Sequence, residues 1–414
     1  MRFTFIHAAD LHIDSPFAGL GLKDPIVAER FAHAGRRAVE ALIDETISAK
    51  AAFLVISGDI FDGDWKDVTT GLFFARALGR LDREGIQTFI VKGNHDADSL
   101  MSKSLPYPES VRIFSSAQPE SIPLEVLRVA LHGRSFGGRL VGNDFVASYP
   151  TPREGWFNIG VLHTALDGTR GHESYAPCTV DDLRRFGYDY WALGHVHAAE
   201  EICQDPWIVY PGNIQGRNVR ETGPKGAMRV VVEDGRVISL SRVPLDVARW
   251  EHVRVEASDC DDEEELLKRI EAQLSATYAE AEGRPLAARV TLEGVTPLHA
   301  QLVARREAIE ADARAFGFRV AEDCWVEQIK ITTLGPADAA VASEDDAFDI
   351  EALLRDAAED PDFTQALAKL INQVMDKLPR SLRNELPADA SALASLVAEA
   401  RDRLLGELAM EMGA

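Results

Sequence analysis

The sequence predicts an α/β fold built on layered sheets, and three observations carry that prediction. Through the first 245 residues, short apolar runs alternate with longer polar stretches of helical periodicity. A cluster of Asp, Asn, His and Gly follows several of those runs directly. The composition, 46% hydrophobic and 27% charged over 414 residues, is that of a globular chain long enough for two or three domains.

Taken in order, residues 3–8 read as a first strand, 53–57 as a second and 87–91 as a third. Between them, 31–49 places Ala38, Leu42 and Ile43 at helical spacing, and 71–81 reads as a second helix. Residues 127–131, 159–162, 190–193 and 208–210 are further short strands. Residues 228–232 and 237–241 have the pattern of a hairpin, because the intervening Asp234-Gly235 supplies the positive φ that a two-residue turn needs. Past Pro244 the pattern changes. A strand at 253–255, a helix at 262–278, a strand at 288–292, a helix at 297–315 and a strand at 326–332 form a small βαβαβ unit. The acidic run 259–265 stands at the start of the first of those helices, where negative charge favours the dipole. Gly335-Pro336 and the Ala/Asp/Ser-rich stretch to Asp346 read as a linker. The tail is helical, with Phe363, Leu367, Leu370, Ile371, Val374, Met375 and Leu378 on one face up to Pro379. The expected domains are therefore 1–245, 246–335 and a linker with helices at 336–414.

Composition excludes several classes. No apolar run approaches the roughly 18 residues of a membrane span, and the N-terminus runs straight into a strand pattern rather than a signal peptide. The four cysteines are scattered without a CxxC pair, which points to a reduced, cytoplasmic compartment. No GxxxxGK[ST] loop is present, so ATP use would have to come from a partner. Residues 1–245 carry 26 Lys and Arg against 31 Asp and Glu, a net of −5; residues 246–414 carry 18 against 36, a net of −18. This balance argues against a simple basic DNA-binding module. It leaves room for a nuclease, because bound divalent cations invert the local field.

The polar clusters all fall just past strand ends. Asp10-Leu11-His12 follows the first strand, Gly58-Asp59-Ile60-Phe61-Asp62 the second and Gly93-Asn94-His95-Asp96 the third; His163 and Gly194-His195-Val196-His197 follow two later ones. In open α/β sheets ligands bind at the carboxyl ends of strands. Imidazole, carboxylate and amide oxygen without thiolate suit Mn, Fe or Zn in a reactive rather than a structural site. A pair of cations about 3.5–4 Å apart needs a bridging ligand, and Asp59, after a central strand, is the natural one. One ion would take Asp10, His12, Asp59 and His197, the other Asp59, Asn94, His163 and His195. His95 is then left to protonate a leaving oxygen, with Asp62 to orient its ring. His7, inside the first strand, reads as a core histidine. His132 follows a strand outside this pattern and is open to a supporting or nucleic-acid-contacting role. Arg217, Arg220 and Lys225 lie in a Gly-rich loop, available to a nucleic-acid backbone or to solvent.

The series Asp-x-His, Gly-Asp-x-x-Asp, Gly-Asn-His-Asp, a lone His and Gly-His-x-His resembles the calcineurin-like metallophosphoesterases in order, spacing and strand-end placement. Residues 9–17 (ADLHIDSPF), 172–178 (HESYAPC) and 211–217 (PGNIQGR) resemble, more narrowly, the SbcD-type DNA repair exonucleases of the YhaO-type branch. The resemblance covers the first 245 residues strongly and the remainder in architecture. It implies a double-sheet sandwich flanked by helices, a small α/β capping domain and a helical C-terminal segment. It also implies a two-metal site cutting DNA phosphodiesters, usually with Mn²⁺, a coiled-coil ATPase of the SbcC type as partner, and a homodimer. In that family Asp10, His12, Asp59, Asn94, His163, His195 and His197 correspond to metal ligands and His95 to the catalytic histidine. Asp62 stands where double-strand-break nucleases often have His and phosphatases Asp. A phosphoesterase acting on nucleotides or phosphoproteins is therefore the alternative, and a non-catalytic scaffold recruiting an ATPase is a third reading, which would not need His95.

Overall fold

The computed structural model describes residues 1–15, 31, 33–62, 68–97, 105–138, 144–166 and 176–336. In chain order its elements are β1 (Arg2–Ala8), α1 (Ala34–Ser48), β2 (Phe53–Ser57), α2 (Val68–Arg83), β3 (Gln87–Val91), α3 (Asn94–Ala97), β4 (Val111–Ile113), β5 (Glu120–Leu124), β6 (Val129–Gly133), α4 (Asp144–Ala147), β7 (Phe157–His163), α5 (Val180–Arg185), β8 (Tyr190–Gly194), β9 (Glu200–Gln204), β10 (Trp207–Tyr210), β11 (Gly226–Glu233), β12 (Arg236–Pro244), β13 (Arg249–Glu256), α6 (Glu263–Glu280), β14 (Leu286–Glu293), α7 (His299–Ala304), α8 (Arg306–Val320) and β15 (Cys324–Ile331). The described residues divide into two compact units, Met1–Glu251 with Ala279–Ala288, and His252–Tyr278 with 289–336. None of the described helices is long and apolar enough to cross a membrane.

The first unit holds two six-stranded sheets, ordered β12-β11-β1-β2-β3-β4 and β5-β6-β7-β8-β10-β9. Strand alternation sets the layers. Phe3 and Phe5 of β1 join Phe53, Val55, Phe89 and Val91 against Val129, Leu131, Phe157, Ile159, Val161 and Tyr190 of the second sheet, all in one buried cluster. Ile6, Ala8, Leu54, Ile56 and Ile90 point the other way, onto Leu42 and Ile43 of α1 and Phe74 and Leu78 of α2. On the outer face of the second sheet, Leu162, Trp191 and Ile208 pack with Phe145 of α4 and Leu183 of α5. The strands β1, β2, β3 and β4 pair in parallel, as do β6, β7, β8 and β10. Being covered on both faces, the central strands read as nearly continuous apolar runs. Their parallel pairing delivers the carboxyl ends of β1, β2 and β3 to one edge and those of β7 and β8 to another.

The second unit is built on the sheet β13-β14-β15. Helix α6 buries Leu266, Ile270 and Leu274, a stripe at four-residue spacing, and its first turn is capped where Asp262 accepts from Glu265 N at 2.8 Å. The helix expected over 297–315 is broken. Arg305 leaves helical geometry at φ −103° and ψ 17°, and its guanidinium meets Glu263 at 2.6–2.8 Å, ending α7 and beginning α8. The tail helix expected over 363–378 lies outside the described residues.

Other departures have local causes. The strand expected at 127–131 begins at Val129, because Leu127 N bonds back to Leu124 O and Arg128 takes a positive φ of 52° in the turn before it. Strands β4, β5 and β9, not expected from the sequence, are short sheet edges with half-exposed side chains. β5 even carries Pro123, which an edge tolerates.

His7 is a core histidine. Its ring lies between the sheets, with Nδ1 3.0 Å from Tyr190 Oη and Nε2 3.1 Å from both Ser57 Oγ and Leu193 O. Burial pushes its pKa down to about 3, against a small opposing pull from the Leu193 carbonyl. The unfolded chain takes up this proton below about 6.5, while the folded chain resists until about 3. Stability from this group is thus complete above 6.5 and declines as pH falls through that window, by about 1.4 kcal/mol per unit. Thermal melts from pH 8 to 4.5 should show a steeper fall for the wild type than for His7→Gln. Parallel slopes would mean that the buried ring takes up its proton without resisting.

Candidate metal centre

The strand-end loops are stitched to one another before any ligand is considered. Asp10 N donates to Gly58 O at 3.0 Å, His12 N to Asp59 O at 3.1 Å and Ile13 N to Ile60 O at 2.9 Å. Asp96 ties the third loop to the second: its carboxylate accepts from Gly93 N at 3.1 Å, Ile60 N at 3.0 Å and Phe61 N at 3.0 Å. Burial, followed by the nearby charge of Asp59, pushes its pKa up to about 6 against those amide donors. Asp96 therefore acts as a loop clamp. Two glycines permit the close approach: a Cβ at Gly93 would overlap the Asp59 carboxylate, and one at Gly194 would overlap the Ser57 carbonyl.

Four candidate ligands sit at positive φ: Asp10 (52°), His12 (41°), Asp59 (51°) and His195 (103°). Such backbone costs about 1–3 kcal/mol per residue and persists only where the surroundings hold it. Here the holding contacts are the loop-to-loop bonds above and the Asp10 carboxylate, which accepts from His195 N at 3.0–3.1 Å.

The side chains converge in two groups. Asp10, His12 and His197 present ligand atoms within 4.8 Å of one another, and so do Asp59, His163 and His195. Asn94 Oδ1 adds to the second group, 3.0 Å from His163 Nε2. Asp59 lies between the groups, with Oδ2 3.3 Å from His163 Nε2 and 4.0 Å from His12 Nε2. All seven sequence-predicted ligands thus meet here, and Asp59 occupies the position that joins them.

The donor set fits divalent cations. His163 Nδ1 donates to Ser57 O at 2.9 Å, which leaves Nε2 as the inward nitrogen. Burial alone would lower the pKa of His163, yet Asp59, Asp10 and the Ser57 carbonyl together push it up to about 9. A cation among these groups would take the place of that proton. Burial, aided by Arg217 and His197, keeps His12 below its ordinary value and so neutral, the form that ligates. Its Nε2 faces His197 Nε2 at 3.2 Å, so a cation held between them could take a lone pair from each. Asp59 stays ionised although burial opposes it, because His163, His12 and His95 surround it.

His95 stands beside these groups without joining either. Its Nδ1 is 3.2 Å from Asp62 Oδ1 and its side chain is 30% exposed, where the candidate ligands His163 and His12 are sealed. The hydrogen bond to Asp62 raises its pKa above the ordinary value, against partial burial. Asp62 is in turn held well below the carboxylate range by His12 and His95, and it accepts from Ser15 Oγ at 2.7 Å.

Three expectations need adjustment. Lys225 is not available to nucleic acid: it is 6% exposed, with Nζ donating to His197 O at 3.1 Å. Arg217 is committed to Glu221 at 2.8 Å. His132 is a buried support, stacked on Tyr188 at 4.5 Å and bonded to Ser121 and Asn158. The residue that sequence reasoning missed is Glu221, a single acid in a loop with no repeating pattern to mark it.

The chain is similar to known proteins along most of its length. Residues 3–199 match the family described as calcineurin-like phosphoesterase, and residues 250–334 match the middle domain of metallophosphoesterase YhaO. The uncharacterized metallophosphoesterase YhaO of Bacillus subtilis (strain 168) is 36% identical over 299 residues, 71% of this chain and 72% of that protein. The DNA double-strand break repair protein Mre11 of Methanopyrus kandleri is 27% identical over 294 residues, 64% of this chain and 61% of that protein. With two candidate ligand groups at the strand ends and this likeness along most of its length, the chain belongs to the calcineurin-like metallophosphoesterases, a family of metal-dependent phosphoesterases, on the branch of YhaO.

Proposed function

We propose that the chain is the nuclease subunit of a cytoplasmic DNA-repair machine, hydrolysing DNA phosphodiester bonds with two Mn²⁺ ions. The observation that carries this reading is the His95–Asp62 pair beside two ligand groups that Asp59 joins. Bound there, divalent cations would activate a water and neutralise charge on the phosphoryl oxygens. The protein's own part is the proton. His95 Nδ1 is engaged by Asp62, so Nε2 is the atom that delivers a proton to the leaving oxygen. The choice of DNA is supported by the similarity to a protein named for DNA double-strand break repair. The choice of Mn²⁺ is supported by the oxygen and imidazole donors, which suit it.

Asp62 favours a second reading, a phosphoesterase acting on nucleotides or phosphoproteins, because a carboxylate at this position is the phosphatase-like choice. One assay separates the two. Purified protein with Mn²⁺ is offered labelled single- and double-stranded DNA, a nucleotide and a generic phosphodiester. Cleavage of DNA at rates above the nucleotide supports the nuclease; turnover of the nucleotide with intact DNA would replace it with the second reading.

A chain of net charge −23 needs help to approach a polyanion. An SbcC-like coiled-coil ATPase would supply basic surface and ATP use, docked through the apolar stripe from Phe363 to Leu378. Truncation near Ala340 should abolish co-purification with that ATPase and leave cleavage of short DNA intact. Undiminished co-purification would remove the stripe from the interface.

A further inference from the structure

We propose that Glu221, set in place by Arg217 and Asn213, is a positioning residue for the ion held by Asp10, His12 and His197, fixing the proton on His197 Nδ1 so that Nε2 faces that ion. The inference rests on the two-ion reading of the site and is independent of the substrate.

The geometry is specific. His197 Nδ1 lies 2.8 Å from Glu221 Oε1 and 3.2 Å from Arg217 Nη2. A carboxylate only accepts and a guanidinium only donates. The shorter contact is to the carboxylate, so Nδ1 carries the proton and donates it to Glu221. Arg217 then spends its donors on the same carboxylate, Nη2 on Oε1 at 2.8 Å and its backbone N on Oε2 at 2.8 Å. Asn213 Nδ2 donates to Oε2 at 2.8 Å. Glu221 is 7% exposed and both of its oxygens are occupied, so its orientation is over-determined.

This arrangement makes the two ends of the site different. At the other end the corresponding support for His163 is a backbone carbonyl, Ser57 O at 2.9 Å, which no substitution removes. At the His197 end it is a side chain on a loop. Without Glu221, Arg217 is the nearest polar neighbour of Nδ1, and its N–H can only pair with a deprotonated Nδ1. That would move the ring proton to Nε2 and close the nitrogen that must face the ion. A carboxylate supporting a ligating imidazole contributes about 10–100-fold in metal affinity.

Calorimetric titration of the full-length protein with Mn²⁺ tests this, using Glu221→Gln and Glu221→Ala beside the wild type. One of the two binding steps should weaken by about 10–100-fold, more in Glu221→Ala than in Glu221→Gln, with the other within twofold. Nitrogen NMR of the histidine rings should report a change of tautomer for one imidazole in Glu221→Ala. Two unchanged steps would overturn the role of Glu221, and so would equal weakening of both, which marks general loosening of the fold. If Glu221→Ala does not fold, Glu221→Gln decides on the same criteria, since its amide fills the same space. A wild type that binds no Mn²⁺ would instead overturn the two-ion reading itself.

Discussion

Asp59→Asn is expected to empty both ion positions together. Asp59 Oδ2 approaches an imidazole of each group, 3.3 Å from His163 Nε2 and 4.0 Å from His12 Nε2. It is 2% exposed, so water cannot readily replace the lost charge. The substitution is otherwise mild: Asp59 Oδ1 accepts from His95 N at 3.1 Å, a bond that an amide oxygen preserves. A fall in occupancy therefore reports the ligand and not the loop. Losing the several kcal/mol of charge stabilisation that bound ions supply lowers turnover by about 10³-fold or more. Elemental analysis of Asp59→Asn against His12→Ala makes the comparison, since His12 belongs to one group and its loss should empty mainly that position. Full occupancy of either position in Asp59→Asn would remove Asp59 from the bridging role.

His95→Asn should do the reverse, keeping the ions and losing the chemistry. The side chain belongs to neither ligand group and is 30% exposed, within reach of a leaving group. With the proton donor gone, turnover should fall by about 10²–10⁴-fold while Mn²⁺ binding and DNA affinity hold. A phosphodiester with a good leaving group, such as a nitrophenolate, should be cleaved almost normally, because it departs without a proton. Asp62→Asn should give a smaller loss. The hydrogen bond that His95 donates to Asp62 is the main force raising the His95 pKa, so its loss moves the alkaline limb of the pH–rate profile to lower pH. If the nitrophenyl substrate is slowed as much as DNA with both ions bound, His95 is not the acid.

Much of this molecule was legible because two signals are local. The central strands are apolar on both faces, so 3–8, 53–57 and 87–91 stand out before any pairing is known, and β1, β2 and β3 differ from those ranges by a residue at most. The edge strands were not legible, because β4 and β9 are half-exposed and owe their extension to a neighbour supplied by the rest of the chain.

The sequence by itself determined which chemical groups stand at the strand ends. Asp10, His12, Asp59, Asn94, His163, His195 and His197 each follow an apolar run within a few residues, and that adjacency survives any tertiary arrangement. Only the tertiary structure decided how they combine. Asp10 is brought beside His197 and Asp59 beside His163, each from a distant part of the chain, so the division into two groups depends on which strand ends the parallel sheets bring face to face. The same holds for the neighbours of those groups. Asp96 became a clamp because three backbone amides from two loops point at it. Lys225 became a buried donor to His197 O, and Glu221 the acceptor for the His197 ring. A lone charge in a loop carries no periodicity, so its role is settled only when the fold surrounds it with partners and removes it from water.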